Sequence, residues 1–393
     1  MSTMAGLRVG VVCFPTLGGS GVIALALAAG LAERGHQVHV IASAVPNGLD
    51  GKSGQLWFHQ VQVSSYPVFE YPPYTVALAS TIVDVARQHG LDVLHAHYAV
   101  PHATCAYLAR QVLEPMAPRI VTSLHGTDVL RFGILPDYLS VTRFAVAQSD
   151  GVVVPSAFLK DEARRLLSLP ERLAVEVMPN FVDTDRFAPC ETRDTALLEQ
   201  LFGGGNERWG PLLFHVSTFR PVKRVVDVIE VLERVRRKVP ARLVLVGDGP
   251  ERARVETRVR ALGLEGAVRL LGERRDFVSY LQQADAFLLP SETESFGVAA
   301  LEALSAGVPV FGYDVGGLPE LVTQDVGRLV EPFNMEALAD AVLETLGDPA
   351  RHAAQRQVAR RRVLEHYRAG PAVERYEVYL WDMLSRAPGR AQR

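Results

Sequence analysis

The stretch Leu7-Arg-Val-Gly-Val-Val-Cys13, the loop Gly18-Gly-Ser-Gly21, the apolar run Val22-Ile-Ala-Leu-Ala-Leu-Ala-Ala-Gly-Leu31 and the segment Gln37 to Ala42 decide the fold. The first is a valine-rich strand, the run predicts a helix from Val22 to Arg34, and Gln37 to Ala42 predicts a second strand. Strand, glycine loop, helix, strand is a βαβ unit. Further strands are expected at Val93 to His95, Ile120 to Leu124 and Gly151 to Val154, each followed by loop residues and a helical segment. The first half therefore reads as a doubly wound parallel sheet.

After Asn180 the alternation weakens, and the glycine-rich Leu201 to Pro211 reads as a break, where the domain junction is expected. The pattern resumes with strands at Leu212 to Ser217, Arg242 to Val246, Val268 to Leu271 and Ala286 to Leu289, and with a helix at Arg224 to Lys238. From Asn334 the tail is nearly all helical, and Pro371 is expected to break it before a last helix through Trp381. Two Rossmann-like domains follow: residues 1–185, joined by a C-terminal helix at 372–393, and residues 186–371. An α/β chain of two such domains, with the active site in a cleft at the carboxyl ends of their strands, has the GT-B architecture.

At 393 residues the chain suits two α/β domains of roughly 180 residues each. A formal charge of −3 provides no global field for nucleic acid. The basic stretches Glu233-Arg-Val-Arg-Arg-Lys238 and Ala359-Arg-Arg-Arg362 read as solvated helix faces. Cys13, Cys105 and Cys190 are odd in number and lack a C-x-x-C spacing, which argues against a disulfide framework and for a reducing cytoplasm. The run from Val22 has the look of a secretory core, but it lacks a charged segment immediately before it, and no apolar stretch reaches membrane-spanning length.

Candidate chemistry begins with Glu294 and Glu302 in Ser291-Glu-Thr-Glu-Ser-Phe-Gly-Val-Ala-Ala-Leu-Glu302. The second lies on a short helix whose positions three and four residues away, Val298, Ala299, Ser305 and Ala306, offer no basic partner. A carboxylate so placed meets a polar group outside its helix. Phe296-Gly297 opens that helix, where free N–H groups favour an anion. A molecule carrying phosphate and hydroxyls, such as a nucleotide sugar, satisfies both features, although the spacing alone also arises by chance. Thr218-Phe-Arg-Pro-Val-Lys-Arg224 places Arg220 and Lys223 between a strand and a helix, a position suited to neutralising a departing diphosphate, or else an exposed basic turn.

Gly18 to Gly21 permit close approach to phosphate or simply form a tight turn. They are not G-x-G-x-x-G, and no acid near Ser43 would hold a dinucleotide ribose. His95 and His97 share a strand face, but no carboxylate or cysteine at ligand spacing joins them, so hydrogen bonding is expected there rather than metal. His125-Gly-Thr-Asp128 follows a strand and faces the cleft, with capping by Thr or Asp as the alternative. Arg143 has no acid neighbour on its predicted helix, Tyr138 to Gln148, and is free to clamp a carboxylate or to bridge helices.

Together these residues resemble the family-4 retaining glycosyltransferases, whose mark is E-x7-E with Phe-Gly after the first glutamate. The resemblance covers essentially the whole chain. Gly18-Gly-Ser-Gly21, His97-Tyr-Ala-Val-Pro-His-Ala103, Leu124-His-Gly-Thr-Asp128, Asn180-Phe-Val-Asp183 and Phe219-Arg-Pro-Val-Lys-Arg224 narrow it to members that join N-acetylglucosamine to L-malate in bacillithiol biosynthesis. It implies a donor, UDP-GlcNAc, and an acceptor, L-malate, with no cofactor and no essential metal. By that resemblance Glu294 holds sugar hydroxyls, Glu302 the ribose, Arg220 and Lys223 the diphosphate, and the Phe296-Gly297-Val298 backbone the phosphate end. Gly272 and Arg274 flank the uracil, Gly18 and Gly19 approach the donor, and His125 lies near the reacting carbon. Ser20, Tyr98, Thr127 and Arg143 surround malate. Thr218 stands where most members carry an Arg, and Val45 to Leu49 lacks a basic residue common there. A different acceptor, such as an inositol phosphate or a lipid-linked sugar, and a two-lobed sugar-binding protein are the rival readings; only Lys52 and Lys160 occur before residue 170 to meet a phosphate. A homo-oligomer is left open, and neither nucleic acid nor membrane is an expected partner.

Overall fold

The structure, a computed structural model, describes residues 6–16, 18–46, 55–64, 67–68, 70–203 and 210–386. The chain divides into two compact units, one formed by residues up to Asn180 together with those from Ala369, the other by Phe181 to Arg368. The glycine-rich 201–211 stretch lies inside the second unit, and its residues 204–209 fall outside the described residues, as do Lys52 and most of Val45 to Leu49.

The first unit runs β1 (Arg8–Val12), α1 (Ser20–Glu33), β2 (Gln37–Ala42), β3 (Leu56–Gln60), α2 (Tyr74–His89), β4 (Val93–His97), α3 (Thr104–Leu113), β5 (Arg119–Ser123), α4 (Thr127–Leu130), α5 (Pro136–Ala147), β6 (Gly151–Val154), α6 (Ala157–Leu167) and β7 (Val175–Val177). Its seven strands are all parallel, in the order β3-β2-β1-β4-β5-β6-β7. Helices cover both faces, so β1, β4 and β6 are buried almost throughout, and β6 reads as an apolar run rather than an alternation. Each fully buried Leu or Val among them contributes on the order of 2 kcal/mol.

The second unit runs α7 (Thr195–Phe202), β8 (Leu212–Val216), α8 (Val225–Arg236), β9 (Arg242–Val246), α9 (Arg252–Ala261), β10 (Val268–Leu270), α10 (Val278–Gln282), β11 (Ala286–Leu289), α11 (Val298–Ser305), β12 (Val310–Tyr313), α12 (Leu318–Leu321), β13 (Gly327–Val330), α13 (Met335–Leu346) and α14 (Pro349–His366). Its parallel sheet has the order β10-β9-β8-β11-β12-β13. The sequence reading omitted β3, β7, β12 and β13, each only three to five residues long.

Pro371 does not break a helix. It lies in the first turn of α15 (Ala369–Ser385), where the missing N–H has no partner to lose. The break falls instead at Tyr367-Arg368, after which α15 returns to the first unit. Its face Val373, Tyr376, Leu380 and Met383 is buried, and Gly30 on α1 makes room for it, since a Cβ there would come within 2.6 Å of Val373. The Ala359 to Arg362 stretch is also not simply solvated. Arg360 donates to the carbonyls of Thr184 and Ser305, and Arg362 donates to that of Glu320, because the exposed ends of neighbouring elements need donors.

Candidate functional site

In a sheet wound this way, the loops after the two central strands run to opposite faces and leave a crevice at their carboxyl ends. In the second unit that point lies between β8 and β11. The loop after β8 carries Arg220 and Lys223, and the loop after β11 carries Glu292 to Gly297. Three links join them. Lys223 Nζ donates to Glu294 Oε1, Arg224 Nη1 reaches Glu292 at 3.5 Å, and the Glu292 N–H donates to the Val222 carbonyl at 2.9 Å.

Glu294 is 9% exposed and also accepts from the Ser291 hydroxyl at 2.9 Å. The loop after β12 braces it from behind, with the Gly317 N–H donating to the Glu294 carbonyl at 2.8 Å. Gly316 allows that approach, since a Cβ would lie 2.0 Å from the same oxygen. Beneath the pair sits His215, whose Nδ1 bonds the Leu288 carbonyl at 2.8 Å and whose Nε2 pairs with Ser217 at 2.7 Å. Burial holds His215 down to about 4, so it is neutral at pH 7. Ser291 and His215 were not among the expected site residues. A histidine inside the apolar strand Leu212 to Val216 was the available signal.

Arg220 is exposed and forms no ion pair among the described residues. It caps the short 3-10 turn Pro221–Lys223, where the Lys223 N–H donates to its carbonyl at 2.9 Å. Gly297 caps α11 in the left-handed region, φ 94°, and its Cβ would meet Leu318 Cδ1 at 2.9 Å. A side chain there is strained, and the first N–H groups of α11, beginning at Val298, have no partner within their own helix. Phe296, 2% exposed, is held edge-on against Tyr367. Glu302 is half-buried one turn further along, and burial pushes its carboxyl up to about 7 against the opposing pull of Arg186. Arg186 lies outside that helix and acts on Glu302 through its charge, while its own Nη2 donates to the Arg275 carbonyl at 3.0 Å. Gly272, φ 69°, follows β10, and Arg274 is bonded to Asp276 at 3.0 Å and lies over the Tyr280 ring.

In the first unit the corresponding point lies between β1 and β4. Tyr98, immediately after β4, has φ 99° and ψ 141°, a conformation nearly reserved for glycine and costing about 1–3 kcal/mol in other residues. Its ring packs edge-on against Phe14 from the β1 loop and stacks on His125 from the β5 loop. Asp128 ties these loops together, accepting from the backbone N–H groups of His125 at 3.0 Å, Gly126 at 2.9 Å and Ala99 at 3.3 Å. Burial lifts its carboxyl to about 6 while those three donors pull it down.

His97 Nδ1 pairs with His125 Nε2 at 3.1 Å, and His95 Nε2 with the Ser123 hydroxyl at 2.7 Å. Burial, reinforced by the imidazoles of His95 and His102, depresses His125 to about 3. A neutral His125 can exchange hydrogen bonds with a substrate but carries no charge. Gly19, φ 49°, caps α1, and no atom lies within 4 Å of a Cβ built on Gly18 or Gly19. Gly21 is different, since a Cβ there would strike the Phe14 and Thr16 carbonyls, so its role is the tight turn. Ser20 and Thr127 open α1 and α4, and Arg143 stands exposed on α5 without an ion pair among the described residues.

Residues 17–186 match the family described as Glycosyltransferase Family 4, and residues 204–362 match Glycosyl transferases group 1. The chain is 40% identical over 379 residues to the N-acetyl-alpha-D-glucosaminyl L-malate synthase of Bacillus anthracis, covering 96% of this chain and 97% of the relative. It is 30% identical to a GDP-mannose-dependent alpha-(1-6)-phosphatidylinositol monomannoside mannosyltransferase of Mycolicibacterium smegmatis, over 77% of this chain and 81% of that one. Among solved structures, a glycosyltransferase from Rickettsia africae matches with a TM-score of 0.79 at 20% identity, covering 98% of this chain and 100% of that one. Anabaena HepE in complex with UDP and glucose also matches at 0.79 and 20%, over 95% and 99%. At this identity the structural likeness establishes the fold, GT-B with two Rossmann-like domains, and the sequence likeness establishes the family. The chain belongs to the family 4, group 1 glycosyltransferases.

Proposed function

We propose that the protein transfers N-acetylglucosamine from UDP-GlcNAc to the hydroxyl of L-malate with retention, in the cytoplasm, as the first step of bacillithiol biosynthesis. The observation that carries this reading is the 40% identity to the Bacillus anthracis synthase across nearly the whole of both chains. The HepE complex with UDP supports a uridine nucleotide as the donor's leaving part. Three free cysteines suit a reducing compartment, and among the described residues no helix is long and apolar enough to cross a membrane.

In this reading the second unit holds the donor. Lys223 exchanges its bond to Glu294 for the diphosphate, Arg220 adds a second cation, and the α11 N–H groups from Val298 receive phosphate oxygens. Glu294, released, accepts from sugar hydroxyls. Glu302 accepts from the ribose, and Gly272 and Arg274 border the uracil. In the first unit Ser20, Tyr98, Thr127 and Arg143 receive malate, with Gly18, Gly19 and His125 toward the transferred sugar. The malate oxygen bonds to the anomeric carbon as the bond to the UDP phosphate breaks, on the same face, and the hydroxyl proton passes to the departing phosphate. Two side-chain cations supply the charge such a leaving group needs, so no metal is required for the step. The test is incubation with UDP-GlcNAc and L-malate, with UDP release and product mass as readouts. UDP release that ignores malate overturns the acceptor.

A further inference from the structure

His39, His59 and His89 lie apart from the β1/β4 switch point of the first unit and take no part in the chemistry above. His39 stands on β2, His59 on the edge strand β3, and His89 is the last residue of α2. The parallel register pairs His39 with Trp57 and Ile41 with His59. These four side chains therefore share one face of the sheet. Ile41 on that face shares a core with Leu78, Ile82 and Ala86 of α2, and the C-terminus of this helix delivers His89 to the same spot.

We propose that His39, His59 and His89 form a binding site for a divalent transition metal of the zinc class, pinning the edge strand and α2 to β2. One ring nitrogen from each lies within 4.8 Å of the others, and His39 Nδ1 is 2.9 Å from His59 Nε2. Zinc binds imidazole at about 2.0–2.1 Å, which spaces tetrahedral ligand nitrogens about 3.3 Å apart, so small side-chain rotations close the site. His39 is 1% exposed, so a metal bound through it would sit at the buried end of the group. Among the described residues no fourth His, Cys, Asp or Glu joins the group, which leaves one position of the tetrahedron for water or an anion.

The test uses the untagged full chain, freed of metal by a chelator and titrated with Co²⁺ alone, then with Zn²⁺ in competition. A 1:1 complex with the visible bands of tetrahedral Co²⁺ is expected, displaced by Zn²⁺. Trp57 stacks on His39 at 4.9 Å, so Cu²⁺ should quench its fluorescence in the parent but not in Trp57→Phe. His59→Gln and His89→Gln, both at partly exposed positions, should each weaken binding more than about tenfold with circular dichroism unchanged. No saturable binding in the parent, or an affinity in both variants equal to that of the parent, overturns the site. UDP release is a separate readout, so failure here leaves the transferase reading intact.

Discussion

Lys223 and Glu294, 71 residues apart in the chain, are joined by a direct ammonium–carboxylate hydrogen bond that closes the two loops at the switch point of the second unit. The pair is placed where a ligand can exchange with it. Lys223 is 26% exposed on its side chain and Glu294 10%, so the bond faces a partly open site and can be exchanged for a ligand. A diphosphate would outcompete a single carboxylate for the ammonium, because it carries more charge and more acceptors.

Lys223→Ala should lower the rate of UDP release by about 10²–10³, the loss seen when one preorganised electrostatic group is removed. It also strands a nearly buried carboxylate beside Ser291, costing about 1–3 kcal/mol of stability after allowance for solvent. Initial-rate kinetics and thermal melts separate the two effects. Unchanged turnover would sink the diphosphate role.

Gly297→Ala forces a Cβ into the left-handed region and against Leu318. A cost of about 1–3 kcal/mol is expected, together with a raised KM for UDP-GlcNAc as the N-terminus of α11 is displaced. Denaturant unfolding and a donor titration check the two parts. A KM for malate that rises instead would place the defect elsewhere.

The Glu302 carboxyl is raised from 4.5 to about 7 in the folded chain. The folded state therefore binds more protons than the unfolded state between those values, and stability falls as pH rises through that window. Glu302→Gln removes the titration. The melting temperature of the variant relative to the parent should rise between pH 5 and pH 8, by the equivalent of up to about 3 kcal/mol. A difference that stays flat with pH refutes the assignment.

Gly30→Val inserts a branched side chain where α15 crosses α1, and overpacking of this kind costs about 1–3 kcal/mol. Since α15 is the last element of its unit, the variant should lose that helix first. Limited proteolysis should cut near Ala369 faster than in the parent, while a melt confined to the second unit stays unchanged.

Much of the site could be read along the chain because its parts are local. Phe296-Gly297 needs only a glycine at a helix entry, and Arg220 with Lys223 needs only a turn between strand and helix. The long-range contacts could not be read this way. That Lys223 bonds Glu294 and that Asp128 stitches His125 to Ala99 each depend on which strands lie side by side. Short edge strands such as β3 and β13 also escaped notice, since four or five residues carry too little periodicity to separate from a loop.

By itself the sequence determined the alternation of strands and helices, the two Rossmann-like halves and the family, since apolar runs, glycine turns and short motifs act within a few residues. Only the tertiary structure decided which charges neutralise one another and where Pro371 and Arg360 fall. It alone brought His39, His59 and His89 to one spot. Sheet order sets distances between residues far apart in the chain, and burial then sets the cost of leaving their polar atoms unpaired.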